Sequence, residues 1–146
     1  MRNRLPIHVA LTAAMVLTVA ATGCASKKRA PDPMSTVSGT LKYPDKVKLS
    51  PEAVAYVRLA DVTKGDAQGV TIVQREVKAM GAGGPIPFEL SFKDKVIDPK
   101  HDYVVDARII DRGKLMFISA GSKYPVVTKG HPETAEIAMK IPGIAN

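Results

Sequence analysis

The 146-residue chain has no tryptophan, only three phenylalanines and four tyrosines, and a single cysteine. With so few aromatic rings it has little surface on which bases or sugars could stack, and one cysteine excludes an intramolecular disulfide and any multi-cysteine zinc site. Long hydrophobic runs are also missing. The longest, Val9 to Ala21, spans about thirteen residues, short of the roughly twenty that cross a bilayer as a helix. Acidic residues are the scarcer sign, fourteen against twenty-one basic ones, for a formal net charge of +7. That excess is spread unevenly, and the patch Lys42, Lys46, Lys48 is interrupted by Asp45 and holds a single aromatic residue, Tyr43, so a nucleic-acid partner is not expected.

What is present begins with an address. Arg2 and Arg4 precede the uncharged run, giving the n-region and h-region of a secretory signal. Ala21-Thr22-Gly23-Cys24 follows and resembles a bacterial lipobox, with small residues at the peptidase site and a cysteine immediately after the cut. Ala21 departs from the commoner leucine. The expectation is a lipoprotein signal peptide over residues 1–23 and acylation of Cys24. Several acyl chains would hold the protein on a membrane, since each buried methylene contributes about 0.8 kcal/mol and one chain alone binds marginally. Ala25, in place of the aspartate that typically retains lipoproteins at the inner membrane, points to the outer membrane, facing the periplasm. Without residues 1–23, nineteen basic and fourteen acidic groups remain, a net charge of +5, with Lys27, Lys28 and Arg29 close behind the anchor. Residues 24–36 are rich in Ser, Pro and charge and read as a lipidated flexible tether.

Residues 37–146 read as one all-β domain, because period-two alternation and turn residues recur while 3.6-residue amphipathic stretches do not. Strands are expected over Val37–Tyr43, Ala53–Val62, Val70–Val77, Phe88–Lys93, Tyr103–Ile110, Leu115–Ala120, Pro125–Thr128 and Ala135–Ile141. Phe88-Glu89-Leu90-Ser91-Phe92-Lys93 is the cleanest alternation, and Asp111-Arg112-Gly113-Lys114 has hairpin-turn composition. Seven or eight short strands imply an antiparallel β-sandwich or partly closed barrel. Val57, Leu59, Phe88, Leu90, Phe92, Val105, Ile109, Leu115 and Phe117 are the expected core. Exposed edges are expected at the Gly-rich stretch before Phe88 and at the short strand around Val126.

Reacting constellations are hard to find. His101 and His131 sit thirty residues apart in Pro-containing turns and read as solvated histidines; neither a metal nor a cofactor is expected. Ser119 and Ser122 lack a nucleophile elbow, and Gly81-Ala82-Gly83-Gly84 lacks the Gly-Lys-Ser/Thr ending of a phosphate loop. Asp106 and Arg108 lie two apart on one strand face and, with Asp61, form a candidate ion-pair cluster. No catalytic residue is expected.

The order of segments is informative beyond composition. Gly39-Thr40-Leu41-Lys42-Tyr43, Leu49-Ser50-Pro51-Glu52-Ala53, Pro85-Ile86-Pro87-Phe88-Glu89-Leu90, Asp98-Pro99-Lys100-His101-Asp102-Tyr103, Gly113-Lys114-Leu115-Met116-Phe117 and Tyr124-Pro125-Val126-Val127 together resemble the YbaY family of lipoproteins. That family is related to the YscW-type lipoproteins, the pilotins of type III secretion. The resemblance covers about residues 37–141 and implies a compact β-sandwich displayed from a lipid anchor, with no catalytic residue. Pilotins escort a secretin subunit by binding a segment of it. The leading expectation is therefore a non-enzymatic protein-binding or chaperone module, partnered by the membrane through Cys24 and by an envelope or secretion-system protein of secretin type. The alternative is a periplasmic ligand-binding or modulating protein acting on envelope glycans or lipids.

Overall fold

The computed structural model describes residues 31–65, 69–79, 81, 83–120 and 124–143. The eight strands are β1 (Met34–Lys42), β2 (Val54–Asp61), β3 (Val70–Lys78), β4 (Ile86–Lys93), β5 (Tyr103–Asp111), β6 (Lys114–Ser119), β7 (Tyr124–Val126) and β8 (Thr134–Lys140). They form one sheet in the order β3-β2-β5-β6-β8-β1-β4, with β7 attached to β5 beside β6. The sheet curls until its two ends, β3 and β4, lie side by side, giving a nearly closed barrel around one core. The expected all-β class is what the chain adopts.

Each strand carries an apolar side inward because its residues alternate. In β4 the inward set Ile86, Phe88, Leu90 and Phe92 is buried, while Pro87, Glu89 and Lys93 are exposed. From β2 and β5, Ala55, Val57, Leu59, Val105, Ala107 and Ile109 join the same core. Phe117 packs on Tyr43 with ring centroids 5.6 Å apart.

The β5–β6 hairpin forms as expected. Arg112 and Gly113 have φ of 48° and 76°, the pair of positive values a two-residue type I′ turn requires. Leu115, however, is not core: it is 43% exposed. Ile109 pairs with Phe117 but Ile110 pairs with Leu115, so Met116 is an extra residue in β6. This bulge resets the alternation, leaving Met116 and Phe117 against the core and Leu115 in solvent.

Three further expectations are corrected. The sheet is not wholly antiparallel, since β8 returns alongside β1 in parallel register, Ser38 with Thr134 through Lys42 with Ala138. Gly39 makes that approach possible: a Cβ there would lie 1.8 Å from the Ala135 carbonyl oxygen and 2.8 Å from the Phe88 ring. The strand expected over Pro125–Thr128 stops at Val126, because Val127 takes φ 73° and Thr128 turns away to donate its hydroxyl to the His101 carbonyl at 2.7 Å. Finally, β1 starts at Met34, inside the stretch read as tether. Pairing reaches back further still, with Asp94 N–H donating to the Pro33 carbonyl, and Asp32 lies 3.1 Å from Lys93 and 2.7 Å from Lys95.

Candidate functional site

The place where the sheet fails to close is built by two consecutive strands. β3 and β4 are joined by residues 79–85 and run antiparallel, which is hairpin geometry, yet no backbone ladder links them among the described residues. Parity along each strand identifies the unpaired backbone groups. In β4, Asp94 N–H points to β1, so even-numbered residues pair with β1 and Pro87, Glu89, Ser91 and Lys93 present their backbone to the gap. Ala79 N–H donates to the Ala53 carbonyl, so odd-numbered residues at that end of β3 pair with β2, and Gln74, Glu76 and Lys78 face the gap. The Arg75 guanidinium, reaching across to the Glu89 carbonyl at 3.3 Å, is the hydrogen bond that spans the seam among the described residues.

Three features of the sequence resist closure. Two shallow depressions follow the seam: Gln74 and Ser91 line one, and Glu76, Lys78, Pro87 and Glu89 line the other. Drawing the strands together would crowd the two carboxylates Glu76 and Glu89, which line the same depression from its two sides, and that is destabilising. It would also set Pro87, which has no N–H, at a position where a ladder needs one. On the inner side, Arg75 shares the face of its β2 partner Val57, which is fully buried, so closure would press a guanidinium against Leu90. The expected edge near the Gly-rich stretch is thus present. The edge at Val126 is confined to a three-residue strand whose partner is β5.

The polar cluster expected at Asp61, Asp106 and Arg108 does not assemble. Asp106 is instead held by Arg58, its cross-strand partner, whose Nε lies 2.9 Å from both carboxylate oxygens and whose Nη2 lies 2.7 Å from one. Arg108 stacks its guanidinium over the Tyr56 ring at 5.1 Å. Asp61 sits at the far end of β2 and accepts from the Thr63 amide at 2.9 Å and the Thr63 hydroxyl at 2.6 Å, with His101 Nδ1 at 2.6 Å. Burial, the largest single influence, pushes the Asp61 carboxyl up, but the Thr63 and His101 hydrogen bonds together outweigh it and hold it at about 2. His101 is thus engaged, and not a solvated turn residue.

This corner is a clasp between loops. Thr63 Oγ1 accepts from the Asp102 amide at 2.9 Å, Lys129 Nζ lies 2.6 Å from Asp102, and the Tyr103 hydroxyl accepts from the Asp98 amide at 2.9 Å. A small depression beside it is lined by Val62, Lys64 and Val70 as well as Asp61 and His101, with no aromatic wall. Among the described residues no group of three or more His, Cys, Asp or Glu could hold a metal ion. Lys42 is matched by Glu136 at 2.6 Å. The lipobox residues Ala21, Thr22 and Gly23, and the acylation site Cys24, lie outside the described residues, as does Ser122.

A family model described as type III secretion system lipoprotein chaperone (YscW) matches residues 32–139, nearly the whole barrel. The chain belongs to the YscW family. This YscW-family chain is also similar to the uncharacterized lipoprotein YbaY of Escherichia coli (strain K12), 35% identical over 94 residues, which are 64% of this chain and 49% of YbaY. The match therefore spans about half the length of that relative. Among solved structures it is similar to an alternative pilotin from the type II secretion system of Vibrio cholerae, with a TM-score of 0.68 and 29% identity over 73% of this chain and 96% of the pilotin. The β-barrel described above is thus shared with that pilotin.

Proposed function

We propose that this YscW-family protein is a non-enzymatic envelope lipoprotein that escorts a partner protein by accepting an extended segment of it at the β3/β4 seam. The observation that carries the reading is the pair of neighbouring unpaired edges, each presenting backbone N–H and C=O groups to the same gap. Main-chain groups left in that arrangement are a template for strand addition. The family description, a lipoprotein chaperone, and the pilotin with the same fold support a protein partner, and a secretin-type subunit is the partner this implies.

Residues 1–23 act as the signal, Cys24 carries the acyl chains, and the barrel faces the periplasm from the outer membrane. From Cys24 to Pro31, the first described residue, the chain can reach at most about 25 Å.

The test is site-specific photo-crosslinking in intact cells. A crosslinker at Gln74 or Ser91, on the two sides of the seam, is expected to capture one and the same envelope protein, and one at Glu136, on β8 and separated from β4 by β1, is not. Equal capture at all three positions, or none at the seam, would refute the docking site.

A further inference from the structure

Carboxylates on the strands of this barrel are matched, with two exceptions. Asp61 has His101, Asp106 has Arg58, Asp111 accepts from the Ser50 amide at 2.9 Å and from its hydroxyl, and Glu136 has Lys42. Glu76 and Glu89 are exposed, have no ion-pair partner among the described residues, and flank the centre of the seam from its two sides. Lys78 and Lys93 are exposed towards its two ends, and Val73, Val77, Phe88 and Leu90 lie along its inner side.

We infer that the seam selects an extended peptide segment with one Lys or Arg at its centre and an apolar residue beside it, the cation lying between Glu76 and Glu89. This rests on the reading of the seam as the docking edge and adds the chemistry of what docks there. A strand entering the gap alternates sides, so a residue whose side chain points out between the two glutamates has neighbours that point in. One of those neighbours meets Val77 and Phe88, which favours an apolar side chain, and the other lies beside Arg75 and Leu90. A cation at the centre relieves the repulsion of two unmatched carboxylates, whereas an acid there would add a third like charge. Lys78, two residues along β3 from Glu76, disfavours a second cation on that side. The protein as a whole is basic, so this preference comes from the local pair and not from its net charge.

The probes are capped strand-forming peptides of about nine residues, of alternating Val and Thr, with Lys, Gln or Glu at the centre. They are titrated against the full-length acylated protein in detergent, with amide hydrogen exchange read at the seam. The Lys peptide is expected to bind about tenfold more tightly than the Glu peptide at low salt, with the gap narrowing at high salt, and to protect the amides of Glu76 and Glu89. The variant Glu76→Gln/Glu89→Gln is expected to lose the preference while keeping the binding of the Gln peptide. Seam protection with equal affinity for all three peptides would overturn the charge selection and leave the docking edge standing. Failure of every peptide to protect the seam amides would overturn both.

Discussion

At the scale of the residue, the most closely approached of the described glycines is Gly39, within strand β1. Gly39 is held from both sides, by the Ala135 carbonyl across the parallel ladder and by the Phe88 ring, and its replacement must move a backbone. Gly39→Ala is expected to destabilise the domain by about 2 kcal/mol or more, measured as a fall in urea midpoint, although alanine favours a folded backbone over glycine elsewhere. Asp61 yields a prediction with a sign. Its folded-state value, about 2, lies below the ordinary 3.8, so its contribution to stability is complete above pH 4 or so and is lost as pH falls towards 2. Asp61→Asn should therefore lower stability at neutral pH and flatten the acid limb of the stability profile. An unchanged acid limb would show that the clasp with Thr63 and His101 contributes nothing.

At the scale of the element, the seam is a hairpin prevented from pairing. β3 and β4 are adjacent in sequence and antiparallel, and the obstacles are Pro87, the facing Glu76 and Glu89, and Arg75 on the inner face. Removing them in one variant, Arg75→Val/Glu76→Thr/Pro87→Val/Glu89→Thr, is expected to let the ladder form. The melting temperature should rise and the amides of Gln74 and Glu89 should become protected, while crosslinking of the partner at Ser91 should fall. Greater stability with undiminished capture would separate strand addition from function. The opposite experiment is Leu90→Asp, which buries an unpaired charge at a fully enclosed position of β4 and should cost several kcal/mol.

At the scale of the whole molecule, the barrel begins earlier in the chain than composition implies. β1 begins at Met34, and Asp32 is pinned beside Lys93 and Lys95, whose proximity lowers its carboxyl below the usual range, Lys95 first. Cys24→Ser is expected to move the protein from the membrane to the soluble fraction or to leave the uncleaved precursor, scored by fractionation and intact mass. Lys27, Lys28 and Arg29 changed together to Ser should leave it on the membrane, since acyl chains outweigh about 1 kcal/mol per basic residue near an anionic surface. Loss of retention in that triple variant would assign the basic cluster a larger share.

The strands were legible in the sequence because alternation and turn residues are local. Phe88–Lys93 announced both its faces, and Asp111-Arg112-Gly113-Lys114 announced its turn. The family resemblance was legible for the same reason, in short segments such as Pro85–Leu90. Three-dimensional structure decided what depends on pairing. Leu115 left the core because the bulge at Met116 resets the alternation of β6, and that bulge has no local signature in the sequence. Asp106 took Arg58 and not Arg108, because partners across a ladder are set by register and the residue two along on the same strand points the same way without meeting it. Most of all, nothing local in the sequence relates Glu76 to Glu89. Only the curl of a mixed sheet, with β8 slotted in parallel beside β1, brings the two outermost strands together and makes those carboxylates the lips of an open seam.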